Sequence, residues 1–266
     1  MTKPPVKQLT IGSWRRQWPV PTRADDKYSR GVVGIDTGST RYPGAAVLST
    51  LGALRSGAAF VRFCGAEAAE PAILARCPSV TFGSGRVGAW VVGCGWDEEQ
   101  SNIGRLALRL TDGCPCVIDA GALWVIVGAL ETLGLAALPH DCLLTPHAGE
   151  LARLLGVTRD KVTADPVTYA WQAADRYGAA VLVKGAVQYG VSKQKAWRAV
   201  TGPAWTAQAG SGDVLAGIAG TLLAAGVKPA RAGSMAATLQ ALTAAYNPGP
   251  WSPDQLADWF PLTISG

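Results

Sequence analysis

The chain is short of the residues that build metal centres and nucleic-acid grips. Histidine occurs only at His140 and His147. The six cysteines, Cys64, Cys77, Cys94, Cys114, Cys116 and Cys142, form no CxxC pair. No zinc-ligand spacing results, and no protein-built metal site is expected. The thiols read instead as reduced, mostly buried, small apolar residues of a cytoplasmic protein. Charged residues make up 16% of the chain, with no Lys/Arg run interleaved with aromatics, which argues against a nucleic-acid partner. The longest weakly apolar run, near Val214 to Val227, is short and Gly-broken, so no membrane span is expected. Trp14, Arg15, Arg16 and Pro19 interrupt any signal-peptide core. No internal repeat, low-complexity tract or linker divides the sequence.

What is present points to a packed α/β domain. The 266 residues are 48% apolar, and Ala and Gly dominate. That suits helices packed tightly on a sheet. A net charge of +5 serves solubility and favours an anionic ligand such as a nucleotide. Residues 1–30 are rich in Pro, Trp and Arg without periodicity. They read as an arm on the surface or on a neighbouring subunit, ahead of one domain over 31–266.

Along that domain, apolar runs alternate with helical stretches. Strands are expected at Gly31–Ile35, Ala59–Phe63, Ser79–Phe82, Ala89–Gly93, Pro115–Asp119, from Cys142 up to a helix start before Glu150, and at Ala180–Val183, with a hairpin over 188–200. Helices are expected at 43–56, 97–110, 122–133, 148–155, 166–177, 214–225 and 229–246, with a last one from Pro253. Pro43 suits a first helical turn and Gly57 a helix end. Alternation of this kind builds a mainly parallel sheet covered on both faces, with ligands at the carboxyl ends of strands. Asp36, Gly95, Asp119, His147 and Lys184 all fall at such ends. Each also has an ordinary structural reading: a turn glycine, a helix cap or a solvated lysine.

The stretch Ala209-Gly210-Ser211-Gly212-Asp213-Val214-Leu215-Ala216-Gly217 stands apart. Small residues precede a buried helix, with Ser211 as its N-cap. Backbone N–H groups and the helix dipole then converge on one spot that suits phosphate. A carboxylate beside such a spot repels the ligand. Asp213 is explained if it acts as general base for a hydroxyl that attacks phosphorus. Taken alone, the same residues also read as a capped turn.

Five segments together resemble a known family. They are Gly38-Ser39 with Tyr42-Pro43-Gly44-Ala45-Ala46, Gly93-Cys94-Gly95, Thr145-Pro146-His147-Ala148-Gly149-Glu150, Lys184-Gly185-Ala186, and the 210–217 stretch. The chain is similar to the ADP- or ATP-dependent NAD(P)H-hydrate dehydratases, from about Lys27 to Ala245. The resemblance implies a ribokinase-like fold and repair of hydrated NADH or NADPH. The hydrate hydroxyl is phosphorylated and phosphate then leaves. It further implies Asp213 as base; Lys184, Gly185, Ala186, Gln188, Gly210, Ser211 and Gly212 around the ADP or ATP phosphates with Mg2+; and Ala45, Gly95, His147 and Asp213 around the hydrate. A homo-oligomer, tetrameric in the family's habit, is implied too. The chain has no room for the epimerase domain often fused to this family, so the standalone form is expected. Departures bear on nucleotide choice: Gln188 stands where the family often has Thr, Gly121 where an aspartate is common, and Cys94 where Pro is common. The 203–208 segment is altered, and no His falls near 239–241. The alternatives are a ribokinase-like kinase of a small alcohol, such as a thiamine precursor, and a catalytically weak dinucleotide-binding protein of the same fold.

Overall fold

The computed structural model describes residues 3–97, 99–139 and 141–266; His140 lies outside them. The strands are β1 (Val6–Gln8), β2 (Val32–Asp36), β3 (Phe60–Phe63), β4 (Thr81–Phe82), β5 (Ala89–Val92), β6 (Cys116–Ile118), β7 (Cys142–Leu144), β8 (Ala180–Val183), β9 (Tyr189–Val191) and β10 (Ala196–Arg198). The helices are α1 (Ile11–Gln17), α2 (Pro43–Arg55), α3 (Glu70–Arg76), α4 (Ser101–Thr111), α5 (Ile126–Leu133), α6 (Ala148–Leu155), α7 (Arg159–Ala164), α8 (Pro166–Tyr177), α9 (Ser211–Ala224), α10 (Pro229–Tyr246), α11 (Pro253–Ala257) and α12 (Phe260–Ser265).

The described strands form one sheet in the order β1-β10-β9-β8-β7-β6-β5-β2-β3-β4. Every pairing is parallel except β8 with β9 and β9 with β10, the hairpin read from the sequence. Strand side chains alternate between two cores. Val33, Ile35, Val91, Val117, Leu143 and Leu182 face α2, α9 and α10. Trp90, Val92, Cys116, Ile118, Leu144 and Val181 face α4, α5, α6 and α8. Apolar strand runs arise because both faces are covered.

Residues 6–18 of the expected arm are built into this body. Val6 pairs in parallel with Ala196, so β1 extends the sheet edge. Trp14 is fully buried, and its indole N–H donates to the Met235 carbonyl at 3.1 Å. Trp18 packs on it with ring centroids 5.1 Å apart.

Helix boundaries follow local chemistry. Helix α6 ends at Gly156 and α8 at Gly178, both in the left-handed region that glycine tolerates. Pro166 opens α8, and Asp165 accepts from the Thr168 N–H at 3.2 Å. On the α4 and α5 side the boundaries differ from expectation. Helix α4 begins at Ser101 rather than Asp97, and Asn102 in its first turn donates to the Asp97 carbonyl at 2.7 Å. Residues 120–125 are 3-10 helix before α5.

Helices α2 and α9 cross backbone against backbone. A Cβ on Gly217 would strike the Ser49 carbonyl, and one on Gly52 would strike the Val214 carbonyl. This contact seats the start of α9 over the strand ends. Gly217→Val is expected to lower unfolding stability by about 3 kcal/mol or more through overpacking. Urea denaturation checks this, and a change under about 0.5 kcal/mol, typical of a surface site, would contradict it.

Candidate active site

Four strand ends and one helix start meet at the carboxyl edge of the sheet. Strand β6 delivers Asp119, which is 2% exposed. The chain then turns through Ala120 at φ +45, rare for a residue with a Cβ. That turn lets the Asp119 carboxylate accept from the Ala120 N–H at 2.9 Å. The same oxygen takes the Lys184 ammonium, from the end of β8, at 2.7 Å. Asp119 therefore both caps the following turn and holds the site lysine. A bridge between His147 and Lys184 continues the pairing of these neighbouring segments.

Helix α9 opens differently from the expectation. Gly210, at φ +90, is its N-cap, and Ser211 is its first helical residue without a capping side-chain bond. The left-handed turn needs glycine there, which moves the cap one residue upstream. The Ser211 N–H is taken by the Gln208 carbonyl at 3.2 Å. Among the described residues the Gly212 and Asp213 N–H groups have no hydrogen-bond partner. They are the donors that the helix start offers an anion. A Cβ on Gly212 would lie 3.4 Å from Lys184 Nζ and 3.9 Å from Asp119 Oδ2, so a glycine keeps this corner open.

Asp213 follows in the first turn, partly exposed. Burial pushes its carboxyl up, and the neighbouring Asp119 charge pushes it further. Lys184 and a hydrogen bond from the Cys94 thiol pull it back, leaving a pKa of about 7. Lys184 pairs with Asp119 and not with Asp213, so its charge only partly offsets burial and the Asp119 repulsion at Asp213. Burial pulls the Lys184 ammonium down, but Asp119 and Glu150 more than offset that, and its pKa ends above the ordinary lysine value.

Two cavities flank the cluster. The larger, about 700 Å3, is lined by His147, Lys184, Gly185, Ala186, Gln188, Gly212 and the 200–208 segment, among others. Its wall includes the Gln188 side chain, whose Oε1 is buried without a partner. The smaller, about 630 Å3, is lined by Tyr42, Trp96, Ala120, Gly121, Trp124 and Glu150 with polar neighbours. His147 and Glu150 form the partition. His147 Nδ1 accepts from the Gly149 and Glu150 N–H groups at 3.0 and 3.2 Å, and the Glu150 carboxylate accepts from the His147 N–H at 2.7 Å. The imidazole is thus a helix cap, with its Nε2 edge toward Glu150 Oε1 at 3.4 Å. Ala45 and Gly95 sit together, because a Cβ on Gly95 would lie 2.6 Å from the Ala45 Cβ. Cys94, next to Gly95, links that pair to Asp119, its Sγ 3.9 Å from Oδ2.

Asp36 does not join the rim. It is fully buried and turned to α4, where Arg105 and Arg109 hold its two oxygens, each through a 2.7 Å bond from Nε. The arginines also stack on Trp96 and Trp90. An ion pair formed some seventy residues along the chain consumed a carboxylate that strand position alone assigned to the site. Gln240 was missed. It is 5% exposed on α10, lines the larger cavity, and donates to the Ser211 carbonyl at 2.9 Å. A glutamine in an otherwise Ala-, Leu- and Thr-rich run was the available signal. Among the described residues, no group of three or more His, Cys, Asp or Glu is arranged to hold a metal, and no helix is long and apolar enough to cross a membrane.

A mainly parallel sheet with a Gly-Ser-Gly-Asp helix start at its carboxyl edge defines a ribokinase-like fold. The family model of NAD(P)H-hydrate dehydratase matches residues 33–249, and the chain belongs to that family. It is 40% identical to the bifunctional NAD(P)H-hydrate repair enzyme Nnr of Mycobacterium tuberculosis over 79% of this chain and 44% of that protein. The chain thus spans less than half the length of that relative. It is 35% identical to the ADP-dependent (S)-NAD(P)H-hydrate dehydratase of Neisseria meningitidis serogroup B, over 77% of this chain and 74% of that one. Its fold matches the ADP/ATP-dependent NAD(P)H-hydrate dehydratase from Bacillus subtilis, co-crystallised with ATP/Mg2+, at a TM-score of 0.85 and 25% identity, covering 99% and 98% of the two chains.

The Asp213 carboxyl, followed by 13C NMR, is expected to titrate near pH 7. Asp119→Asn removes the repelling charge and turns Lys184 toward Asp213, so the midpoint should fall by about one unit or more. An unchanged or raised midpoint would contradict this account. Because the folded value lies above the unfolded 3.8, Asp213 contributes stability at low pH that is lost as pH rises through about 7.

Proposed function

We propose that this chain dehydrates hydrated NADH or NADPH back to the reduced dinucleotide, using ADP or ATP. The observation that carries the reading is Asp213: a carboxyl with a pKa of about 7 beside two unpaired N–H donors and Lys184. The family and the relatives' names support it. Above about pH 7 the carboxylate takes the proton of the hydrate hydroxyl as that oxygen attacks the terminal phosphorus. The P–O bond to the nucleotide breaks, and AMP or ADP leaves. The Gly212 and Asp213 N–H groups face the charge gathering on the phosphoryl oxygens, and such donors contribute about 3 kcal/mol each. Phosphate then leaves the ring with the C–O pair. Loss of a proton from the adjacent carbon restores the double bond.

In this reading the nucleotide fills the larger cavity, along Lys184, Gly185, Ala186, Gln188, Gly210, Ser211 and Gly212. The hydrate lies on the side of Ala45, Gly95 and the smaller cavity, with His147 at the partition. Mg2+ takes one or two carboxylates beside substrate phosphates. Asp119 offers that donor chemistry, and the ion would neutralise phosphate charge. A homo-oligomer and a cytoplasmic setting belong to the same proposal. All six cysteines are free thiols, and Val20 and Tyr28 of the N-terminal region are exposed apolar residues available to a second copy.

Mixed with hydrated NADH or NADPH, Mg2+ and ADP or ATP, the protein should restore absorbance of the reduced ring. Asp213→Asn should cut kcat by about 10^2- to 10^4-fold with nucleotide Kd nearly unchanged. No recovery with either nucleotide would overturn the proposal. A stable phosphorylated product would favour a small-molecule kinase.

A further inference from the structure

We propose that Gln240 selects the nucleotide through its nucleoside half. Pinned to the Ser211 carbonyl by Nε2, it offers Oε1 to the larger cavity as acceptor for an N–H or O–H donor of the base or ribose. The inference deepens the nucleotide reading of that cavity and rests on it.

Helix α10 is buried over most of its length, so a polar atom there needs a partner. Its hydroxyls have theirs inside the fold. Ser234 Oγ accepts from the Gly190 N–H at 3.1 Å, Thr238 Oγ1 donates to the Ser234 carbonyl at 2.8 Å, and Thr243 pairs with Thr263 at 2.9 Å. Gln240 is different. It is 5% exposed, and its Nε2 donates to the Ser211 carbonyl at 2.9 Å. A carbonyl only accepts, so the amide is held one way round. Oε1 is left over, and among the described residues no donor reaches it. Unlike Gln188 Oε1, it is not sealed in the interior. With Gln240 in the wall of the larger cavity, the open acceptor faces that space.

The cavity is divided by chemistry. Lys184 and the unpaired Gly212 N–H form an end that suits phosphate. Beside Gln240 the wall is mostly apolar, with Val200, Pro203, Leu215 and Ala241. The Val200 N–H donates to Thr238 Oγ1 at 3.1 Å, and Gly202 packs on the Ala241 backbone, so the 200–202 segment runs along α10 on either side of Gln240. Ionised phosphates carry no donor for a carbonyl oxygen. The adenine amino group and the ribose hydroxyls do. An acceptor in an apolar wall therefore reads the nucleoside. A ligand without the matching donor leaves Oε1 unpaired once it fills the space, which is how a polar site rejects an analogue.

The test is calorimetric binding by the full chain with Mg2+. ADP is compared with purine riboside 5′-diphosphate, which lacks the 6-amino group, and with 2′-deoxy-ADP and 3′-deoxy-ADP, which each lack one ribose hydroxyl. One analogue should bind about tenfold more weakly than ADP, and its identity names the donor. In Gln240→Met, of similar length but without the amide, that gap should close to about twofold or less. Loss of the Ser211 bond in the variant weakens all the nucleotides alike, so the ratio of Kd values isolates the Oε1 contact. Equal Kd values for ADP and all three analogues on the unmodified chain, or a gap that survives in Gln240→Met, would overturn the inference. The first comparison needs no variant, and Gln240→Leu replaces Gln240→Met if that chain fails to fold. No binding of ADP or ATP at all would bring down the nucleotide reading with it.

Discussion

Two carboxylates lie beside one ammonium at the carboxyl edge of the sheet, only Asp119 is paired with it, and the rest of the site follows from that imbalance. Asp119 alone pairs with Lys184, at 2.7 Å. Asp213 lacks that bond, and burial first and the Asp119 charge second raise its pKa to about 7. A carboxyl tuned this way is half ionised near neutrality, where an ordinary aspartate is a weak base. The fold's part is to enforce closeness. Gly52 and Gly217 let α2 and α9 touch along their backbones, and Gly212 leaves room for the lysine. The strained Ala120 turns Asp119 toward the partner it caps and the partner it pairs. Local strain of this kind is tolerated where surrounding contacts over-determine it.

The same geometry separates two chambers. His147 and Glu150 cap α6 reciprocally and stand as a wall, one lining each cavity. Asp213 is influenced by Lys184, which lines the larger cavity, and by Asp119, whose neighbour Ala120 lines the smaller. A phosphoryl donor and an alcohol acceptor can therefore approach one carboxylate from different directions. That arrangement suits phosphoryl transfer, in which positioning and charge stabilisation do most of the work.

Much of the fold was legible because local chemistry and packing agreed. Helices α6 and α8 fall where the sequence put them, since Gly156 and Gly178 end them and Pro166 opens the second. The parallel strands were readable as apolar runs. The N-terminal region was not, because Trp14 and Trp18 sit among arginines and prolines without a period, and only tertiary contact with Met235 shows where they go. Short α3 and α7 carry too few residues for a periodic signal.

The site divides the same way. Asp213 and Lys184 stood out through motif and strand position. Asp36 looked equivalent until Arg105 and Arg109, distant in sequence, were seen to hold it. Ser211 looked like a cap because residue type favours it, yet the left-handed turn at Gly210 decided the matter. Gln240 acts only across the fold, and its one local mark is being a glutamine in an Ala-, Leu- and Thr-rich run. The most direct measurement follows the oxygen. A dinucleotide hydrate labelled with 18O at the ring hydroxyl should yield inorganic phosphate carrying one 18O atom, because that oxygen attacks phosphorus and leaves with it. Label released into water, with unlabelled phosphate, would contradict the account.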